Sequence, residues 1–256
     1  YCTKLWYNSS SCTQVKQHIM MKKYVLSFLL LAMASMALAQ EKVSVKVWKG
    51  GNATTIEQID SITFPNTMQE PACVDLGLSV KWASCNLGAE TPEAYGNYYA
   101  WGETSTKEYY NWDKYKYCTP LTMAMSKYNS TDKKTILEAE DDAATVLLGN
   151  NWRIPTADEM KELVEKCTWE WLEDEKNRNY GYWVTGPNGN RIFLPASGCI
   201  NDNAPYAVEF YGYYWTSEVV SFESKLAVHL FFKEKSTNGS NVSHRYYGFS
   251  IRPVKP

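Results

Sequence analysis

The chain has 256 residues, of which 45% are hydrophobic and 21% charged, with a formal net charge of −2. This composition excludes a disordered or collagen-like protein, and the small net charge argues against a broad basic surface for nucleic acid. The aromatic content is unusual, with 10 Trp, 19 Tyr and 8 Phe, whereas 3 His leave little scope for His-based catalysis or a multi-His metal site.

The first 39 residues are predicted to lie outside the fold. Residues 21–23 form a positively charged start, residues 24–36 are almost wholly apolar, and residues 37–39 have a small-x-small pattern before Gln40. These features are typical of a signal peptide over residues 21–39. We therefore expect export to the periplasm, the cell surface or the medium, and we interpret residues 1–20 as translated upstream sequence. The apolar run is shorter than the roughly 20 residues of a membrane span, so no span is expected after cleavage.

Five cysteines follow the predicted cleavage site: Cys73, Cys85, Cys118, Cys167 and Cys199. Export permits disulfides, but an odd number leaves at least one thiol over, and none has a CxxC or metal-ligand spacing. We expect partly buried, unpaired cysteines, and the sequence leaves any pairing open.

Residues 40–71 are predicted to form a short β segment and a linker. Val43, Val45 and Val47 alternate with polar residues, residues 49–52 give a turn signal, and residues 54–64 can return as a second strand. Two strands are marginal alone, so this segment must pack, pair with a partner or remain loose. The main domain is expected over residues 72–256.

Two helices are predicted within the main domain. Thr156 and Glu159 form a capping-box pattern, followed by an apolar face with the spacing i, i+3, i+4, i+7: Met160, Leu163, Val164 and Cys167. A weaker helix is expected over residues 138–148, with Gly149 as its stop. Residues 100–116 lack periodicity and predict long, ordered loops.

The region after the second helix predicts β structure. Residues 182–185 and 191–194 flank a Gly-Pro-Asn-Gly-Asn turn, which indicates a hairpin. Residues 214–217, 225–232 and 246–254 are predicted strands. Within 225–232, alternate apolar residues share one face and His229 falls on the other.

The sequence offers no strong catalytic or metal motif. His229 and His244 have no neighbouring Ser or Cys motif, so we assign no catalytic residue, no metal and no cofactor. The acidic run at residues 138–142 suits a helix start, with a divalent-cation site as the alternative. Asn201, Asp202 and Asn203 suit a turn, although their oxygens could also bind a cation.

Aromatic residues crowd two segments, and this is the best hint of function. One set is Tyr109, Tyr110, Trp112, Tyr115 and Tyr117; the other is Tyr206, Phe210, Tyr211, Tyr213, Tyr214 and Trp215. Tyr and Trp provide rigid contact area with a polar handle, which favours them at recognition surfaces, and they also stack on sugar rings. The alternative is that they fill the core of a loop-rich fold.

Six ordered motifs resemble the Fibrobacter major paralogous domain family of exported Bacteroidetes proteins. They cover residues 74–83, 99–103, 152–156 with Glu159 and Leu163, 192–198, 214–217 and 248–254. The resemblance spans about residues 72–256, and residues 43–64 are similar to a leader segment in the same proteins. It implies an α+β, C-type-lectin-like domain with two helices, twisted antiparallel strands and long loops, preceded by the short hairpin.

The resemblance also bears on function. That fold is shared with formylglycine-generating enzymes, whose oxidase chemistry uses a cysteine pair near the C-terminal end, but no cysteine follows Cys199 here. The Glu-Pro-Asn and Gln-Pro-Asp triplets of calcium-dependent lectins are absent from the chain. The fold implies that the loops at residues 201–214 and 233–247 gather at one end.

We therefore expect an exported, non-catalytic binding domain, of the kind found in adhesins, that recognises a protein or glycan ligand at a surface. The alternatives are a formylglycine-generating-type oxidase or another enzyme, and a structural adhesin-tip subunit. No nucleic-acid partner is expected, and the oligomeric state is open. The predicted ligand-binding residues are Tyr211, Tyr213, Arg245, Tyr246, Tyr110 and Trp112.

Mass spectrometry of the exported protein should find its N-terminus at Gln40. The reason is that signal peptidase cuts after a small-x-small site that follows an apolar run. A mature N-terminus before Met20 would contradict this prediction.

Overall fold

The computed structural model describes residues 44–49, 52–57, 68, 70–149, 151–220 and 225–256. The chain divides into two compact units, Tyr1–Phe64 and Pro65–Pro256. The predicted signal peptide at residues 21–39 lies outside the described residues. Within the described ranges, no helix is both long and apolar enough to cross a bilayer.

The first unit contains the predicted hairpin. Strands β1 (Ser44–Lys49) and β2 (Asn52–Glu57) pair antiparallel, from Ser44 opposite Glu57 to Lys49 opposite Asn52. The predicted pairing of two strands is therefore confirmed, while Gly50 and Gly51 of the turn and residues 58–64 of the predicted return strand lie outside the described part of the chain.

The second unit is mostly β, and the predicted α+β, C-type-lectin-like class is wrong. Strands account for 39% of the structure and helices for 12%, and no C-type-lectin-like fold is identified. The described residues of this unit form five small sheets. Their strands are β3 (Cys73–Val74) with β4 (Lys81–Ala83) and β15 (Val254–Lys255); β5 (Cys118–Thr119) with β6 (Ala124–Met125); β7 (Thr168–Asp174) with β8 (Asn179–Thr185) and β9 (Arg191–Pro195); β10 (Cys199–Asn201) with β11 (Ala204–Tyr206); and β12 (Tyr211–Val219) with β13 (Leu226–Lys233) and β14 (Ser236–His244).

The two loops that the resemblance implied at residues 201–214 and 233–247 contain strands. Residues 233–247 contain β14, a polar strand whose alternate residues from Ser236 to His244 are exposed while Gly239 is buried. Residues 201–214 contain the turn and the second strand of the β10–β11 hairpin and the start of β12. The side chains of β14 alternate between the two sheet faces as in any strand. Because nearly all of them are polar, this alternation gives no hydrophobic pattern from which a strand could be predicted.

Helix α2 (Ala157–Lys166) is the predicted capped helix. The Glu159 backbone N–H donates to Thr156 Oγ1 at 3.2 Å, and the Thr156 backbone N–H donates to Glu159 Oε2 at 2.8 Å. Met160 and Leu163 are fully buried, as the periodicity predicts.

The earlier helix is shorter than predicted. Helix α1 spans Ala143–Leu148 and is preceded by a 3₁₀ turn at Ala139–Asp141. Asp142 caps α1, because its carboxylate accepts hydrogen bonds from the backbone N–H groups of Thr145 and Ile154. Gly149, at a φ of 62°, ends the helix as predicted.

The core consists of two clusters of buried side chains. One contains Trp101, Trp152, Trp215 and Phe249, and the other contains Trp82, Leu163, Tyr214 and Phe232. Much of the aromatic content therefore fills the core, which was the alternative interpretation of the Tyr- and Trp-rich segments.

The predicted last strand over residues 246–254 is wrong. Only Val254–Lys255 forms a strand, and the residues before it cross the core as a buried segment. Their backbone groups pair with several distant residues, such as Tyr99 and Ile200, instead of one neighbouring strand.

Thr156→Ala should lower the free energy of unfolding by about 1 kcal/mol, because it removes one partner of the capping box. Leu163→Ala should lower the free energy of unfolding by about 2–5 kcal/mol, because it leaves a cavity between α2 and the core. Urea unfolding measures both, with Thr131→Ala in an exposed loop as the control, which should match the parent. Two near-zero values at Thr156 and Leu163 would contradict the packing described here.

Candidate functional site

The six predicted binding residues do not form one site. Arg245 and Tyr110 are buried, at 0% and 3% exposure. Trp112 and Tyr246 are half-buried neighbours, with ring centroids 4.8 Å apart. Tyr211 and Tyr213 lie on β12 and contact Phe231 of β13.

The side chain of Arg245 is buried and makes its contacts within the protein. Its guanidinium lies 4.7 Å from the Trp101 ring centroid, and its Nε donates to the Tyr115 hydroxyl at 2.8 Å. It also donates to the backbone carbonyls of Lys127 and Tyr128. Arg245 therefore lacks the exposed surface that a binding anchor needs, and its role as an anchor is withdrawn.

The predicted ligand-binding role of Tyr110 is wrong for the same reason, because its side chain is buried. Its hydroxyl donates to the Tyr98 carbonyl at 2.5 Å, and its backbone pairs with Asp202 in both directions. The pairing holds the predicted turn at residues 201–203, where the Asp202 carboxylate accepts from the Asn111 amide at 2.7 Å. The turn interpretation of these residues is confirmed.

A cleft of about 290 Å³ opens where β10, β11, β12 and β14 meet the buried C-terminal segment. We call it the tyrosine cleft, and its lining residues are Cys199, Asn201, Tyr206, Tyr213, Ser243, Tyr247 and Phe249. Of the predicted binding residues, only Tyr213 lines it.

A backbone bridge brings the walls of the tyrosine cleft together. Ile200 of β10 pairs with Gly248 through two hydrogen bonds, of 2.8 and 2.9 Å. Gly248 is required for this approach, because a Cβ there would lie 2.9 Å from the Tyr110 ring and 3.0 Å from Ile200. The bridge places Cys199 and Asn201 beside Tyr247 and Phe249.

Stacked rings form the inner surface of the cleft. Tyr213 and Tyr247 both stack on the buried Phe249, with centroids 4.9 and 5.8 Å away and planes inclined by 30° and 12°. Tyr206 stands at the rim with 59% of its surface exposed. The cleft thus presents aromatic faces whose orientation is fixed by the core.

His229 supports the cleft from the core. Its Nδ1 lies 3.0 Å from the Leu230 carbonyl and its Nε2 lies 3.0 Å from Ser243 Oγ. A carbonyl can only accept, so Nδ1 carries the proton, and the Ser243 hydroxyl then donates to Nε2. Burial lowers the pKa of His229 to about 4, so the ring is neutral at pH 7.

This pairing suits positioning better than catalysis. A general base works best when its pKa is near the operating pH, and in a serine triad a carboxylate stabilises the imidazolium that forms. Here a backbone carbonyl takes the place of the carboxylate, and the pKa of His229 is well below 7.

The thiol in the cleft is also poorly activated. Burial raises the pKa of Cys199 to about 12, so the nucleophilic thiolate is scarce at neutral pH. All five described cysteines are free thiols, as expected, and their exposure ranges from buried to exposed.

The acidic run at residues 138–142 encloses a lysine. The Lys127 ammonium lies 2.6 Å from Glu138, 2.9 Å from Glu140 and 2.6 Å from Asp141. These are the three carboxylates whose spacing could hold a metal ion. Because the ammonium lies among them, we assign no metal to this cluster.

The two segments expected to gather at one end, residues 201–214 and 233–247, supply five of the seven cleft residues, but only Tyr213 was among the predicted binding residues. Ser243 and Tyr247 were predicted to lie in a loop, and the structure places Ser243 on a strand. His229 and Ser243 are 14 positions apart, and the register of β13 with β14 brings them together. The alternation of polar residues along β14 was the signal that could have placed them.

Comparison with known proteins adds no relative: no protein-family model, no curated protein and no solved structure matches the chain.

His229 should make the protein less stable in acid. Its pKa is about 4 in the folded state against an ordinary 6.5, so the unfolded chain binds more protons between these values. The contribution of neutral His229 to the free energy of unfolding is therefore fully present above pH 6.5, and about 3 kcal/mol of it is lost as the pH falls to 4.

Urea unfolding at pH 7 and pH 4.5 tests this. His229→Gln should flatten the loss of stability between the two pH values, whereas His244→Gln, at an exposed position, should keep the parent's loss. An unchanged loss in His229→Gln would contradict the assignment.

Proposed function

We propose that this protein is an exported, non-catalytic binding domain whose protein or glycan ligand enters the tyrosine cleft. The observation that supports this is a concave surface of fixed aromatic rings next to polar groups that have no hydrogen-bond partner among the described residues. The amide of Asn201 and the hydroxyls of Tyr206 and Tyr213 make no hydrogen bond within the described residues. Such groups at the edge of aromatic faces are available to a ligand.

Exposed aromatic surface supports the same proposal. Tyr206 is 59% exposed, and large exposed apolar groups around a cleft are typical of binding sites. Tyr also loses little conformational entropy on binding, because its side chain has few rotatable bonds. The His229–Ser243 pair and Cys199 are weakly activated, which favours binding over the enzymatic alternatives.

Export is part of the proposal and rests on the sequence. The apolar stretch before Gln40 and the motifs that resemble the Fibrobacter major paralogous domain family both support an exported protein. Periplasm, cell surface and medium are all compatible with these features.

One observation favours the structural adhesin-tip alternative. Among the described residues, β1 and β2 form a sheet of their own, and no third strand pairs with either. An unpaired edge can accept a strand from a partner subunit. In this second candidate function, residues 44–57 assemble the protein into a larger structure.

An array of immobilised glycans and matrix proteins, probed with the purified full chain, tests the main proposal. Tyr206→Ala and Tyr247→Ala should each weaken binding by about 2 kcal/mol, roughly 30-fold, because each removes an aromatic face. Tyr109→Ala, an exposed tyrosine outside the cleft lining, is the matched control and should bind like the parent. Equal binding by Tyr206→Ala, Tyr247→Ala and the parent would place the site elsewhere, and weaker binding by Tyr109→Ala alone would point to residues 109–117.

A further inference from the structure

We infer that the tyrosine cleft recognises an uncharged, hydroxyl-rich ring, as in the sugar residues of a neutral glycan. The inference rests on the proposed function and narrows its ligand class from protein or glycan to neutral glycan. Three features of the cleft carry it: the chemical character of its lining, the polarity of its hydrogen-bonding groups and its size.

The lining contains no charged side chain. Of its seven residues, three are tyrosines and the others are Cys199, Asn201, Ser243 and Phe249. The nearest carboxylate along the chain belongs to Asp202, and it is held by the Asn111 amide. A charged ligand group would lose its hydration on entry and gain no counter-charge from the lining, which is costly.

The rings suit a sugar in particular. A pyranose presents C–H groups on its faces and hydroxyls around its edge, so it can stack on an aromatic face while its hydroxyls reach polar neighbours. Tyr213 and Tyr247 bring rings held by Phe249 into the lining, and Tyr206 adds a ring that is 59% exposed at the rim. An aliphatic peptide side chain would use the faces but leave the polar groups beside them unsatisfied.

The hydrogen-bonding groups of the lining are complementary to a ligand that both donates and accepts hydrogen bonds. The Ser243 hydroxyl donates to His229 Nε2, so its oxygen presents only lone pairs to the cleft and requires a donor from the ligand. The Asn201 amide and the tyrosine hydroxyls can donate. Adjacent hydroxyls on a sugar ring fill both roles, since each hydroxyl is donor and acceptor.

The dimensions favour a ring over a protein surface. The volume of about 290 Å³ is at the small end of the roughly 300–1,000 Å³ typical of small-molecule sites. A stable protein–protein interface instead spreads over about 800 Å² on each partner. The cleft therefore accommodates one or a few ring-sized units of a longer chain.

Affinity electrophoresis of the full chain in gels that contain a soluble polymer tests the inference. The neutral probes are glucan, mannan, xylan and galactan, and the charged probes are polygalacturonate and chondroitin sulfate. Enzymatically deglycosylated matrix proteins, immobilised for a parallel binding assay, serve as the protein probes.

The main variants are Tyr206→Ala and Asn201→Ala, because both side chains are exposed and neither makes an internal hydrogen bond within the described residues. Both should therefore fold like the parent. Ser243→Ala tests the acceptor, and Ser240→Ala, an exposed serine on the same strand, is its matched control. Circular dichroism and thermal unfolding check that each variant is folded.

The expected result is retardation by at least one neutral polysaccharide. The dissociation constant should rise about tenfold or more in Tyr206→Ala and Asn201→Ala and several-fold in folded Ser243→Ala. Ser240→Ala and Tyr109→Ala should migrate like the parent.

The other outcomes separate the two proposals. Binding of a charged polymer or a deglycosylated protein that depends on Tyr206 would overturn the neutral-glycan inference and leave the binding function in place. Neutral-polysaccharide binding that all the cleft variants retain, or no binding to any probe, would overturn both.

Discussion

The buried guanidinium of Arg252 fixes the position of residues 248–254, the segment that crosses the core of the second unit. It donates to the Asn86 side chain at 2.9 Å and to the backbone carbonyls of Ala83 and Phe193 at 3.0 and 2.6 Å. These acceptors come from two distant parts of the chain, residues 83–86 and Phe193, so one side chain links both to the C-terminal segment. The donors cannot be left unsatisfied at 0% exposure without a large free-energy cost, which fixes the path of residues 248–254.

The tyrosine cleft follows from this path. Phe249 is buried against Trp215 and supports both Tyr213 and Tyr247, while Gly248 bridges to β10 and draws Asn201 to the rim. Its aromatic faces are thus parts of the core that reach the surface. A site built in this way is ordered before the ligand arrives, which lowers the entropic cost of binding.

The sequence predicted the elements whose signals are local. The capping box of α2, the stop at Gly149 and the Gly-Pro-Asn-Gly-Asn hairpin depend on neighbouring residues, and all three are confirmed. What failed depended on distant partners. Arg245 was expected at a binding surface because the resemblance implied a loop over residues 233–247, but Trp101 and the Tyr115 hydroxyl surround its side chain. The polar strand β14 and the His229–Ser243 pair needed the strand register, which periodicity alone does not supply.

The central claim is that a sugar ring lies against the aromatic faces of the tyrosine cleft. Amide NMR spectra of the protein, recorded while neutral oligosaccharides prepared from glucan, mannan, xylan and galactan are added, test it most directly. The account predicts that one of these shifts the signals of Asn201, Tyr206, Ser243 and Tyr247 most strongly. Shifts confined to another surface, such as the acidic and aromatic one around Trp171 and Phe210, or no shift with any of the four, would contradict it.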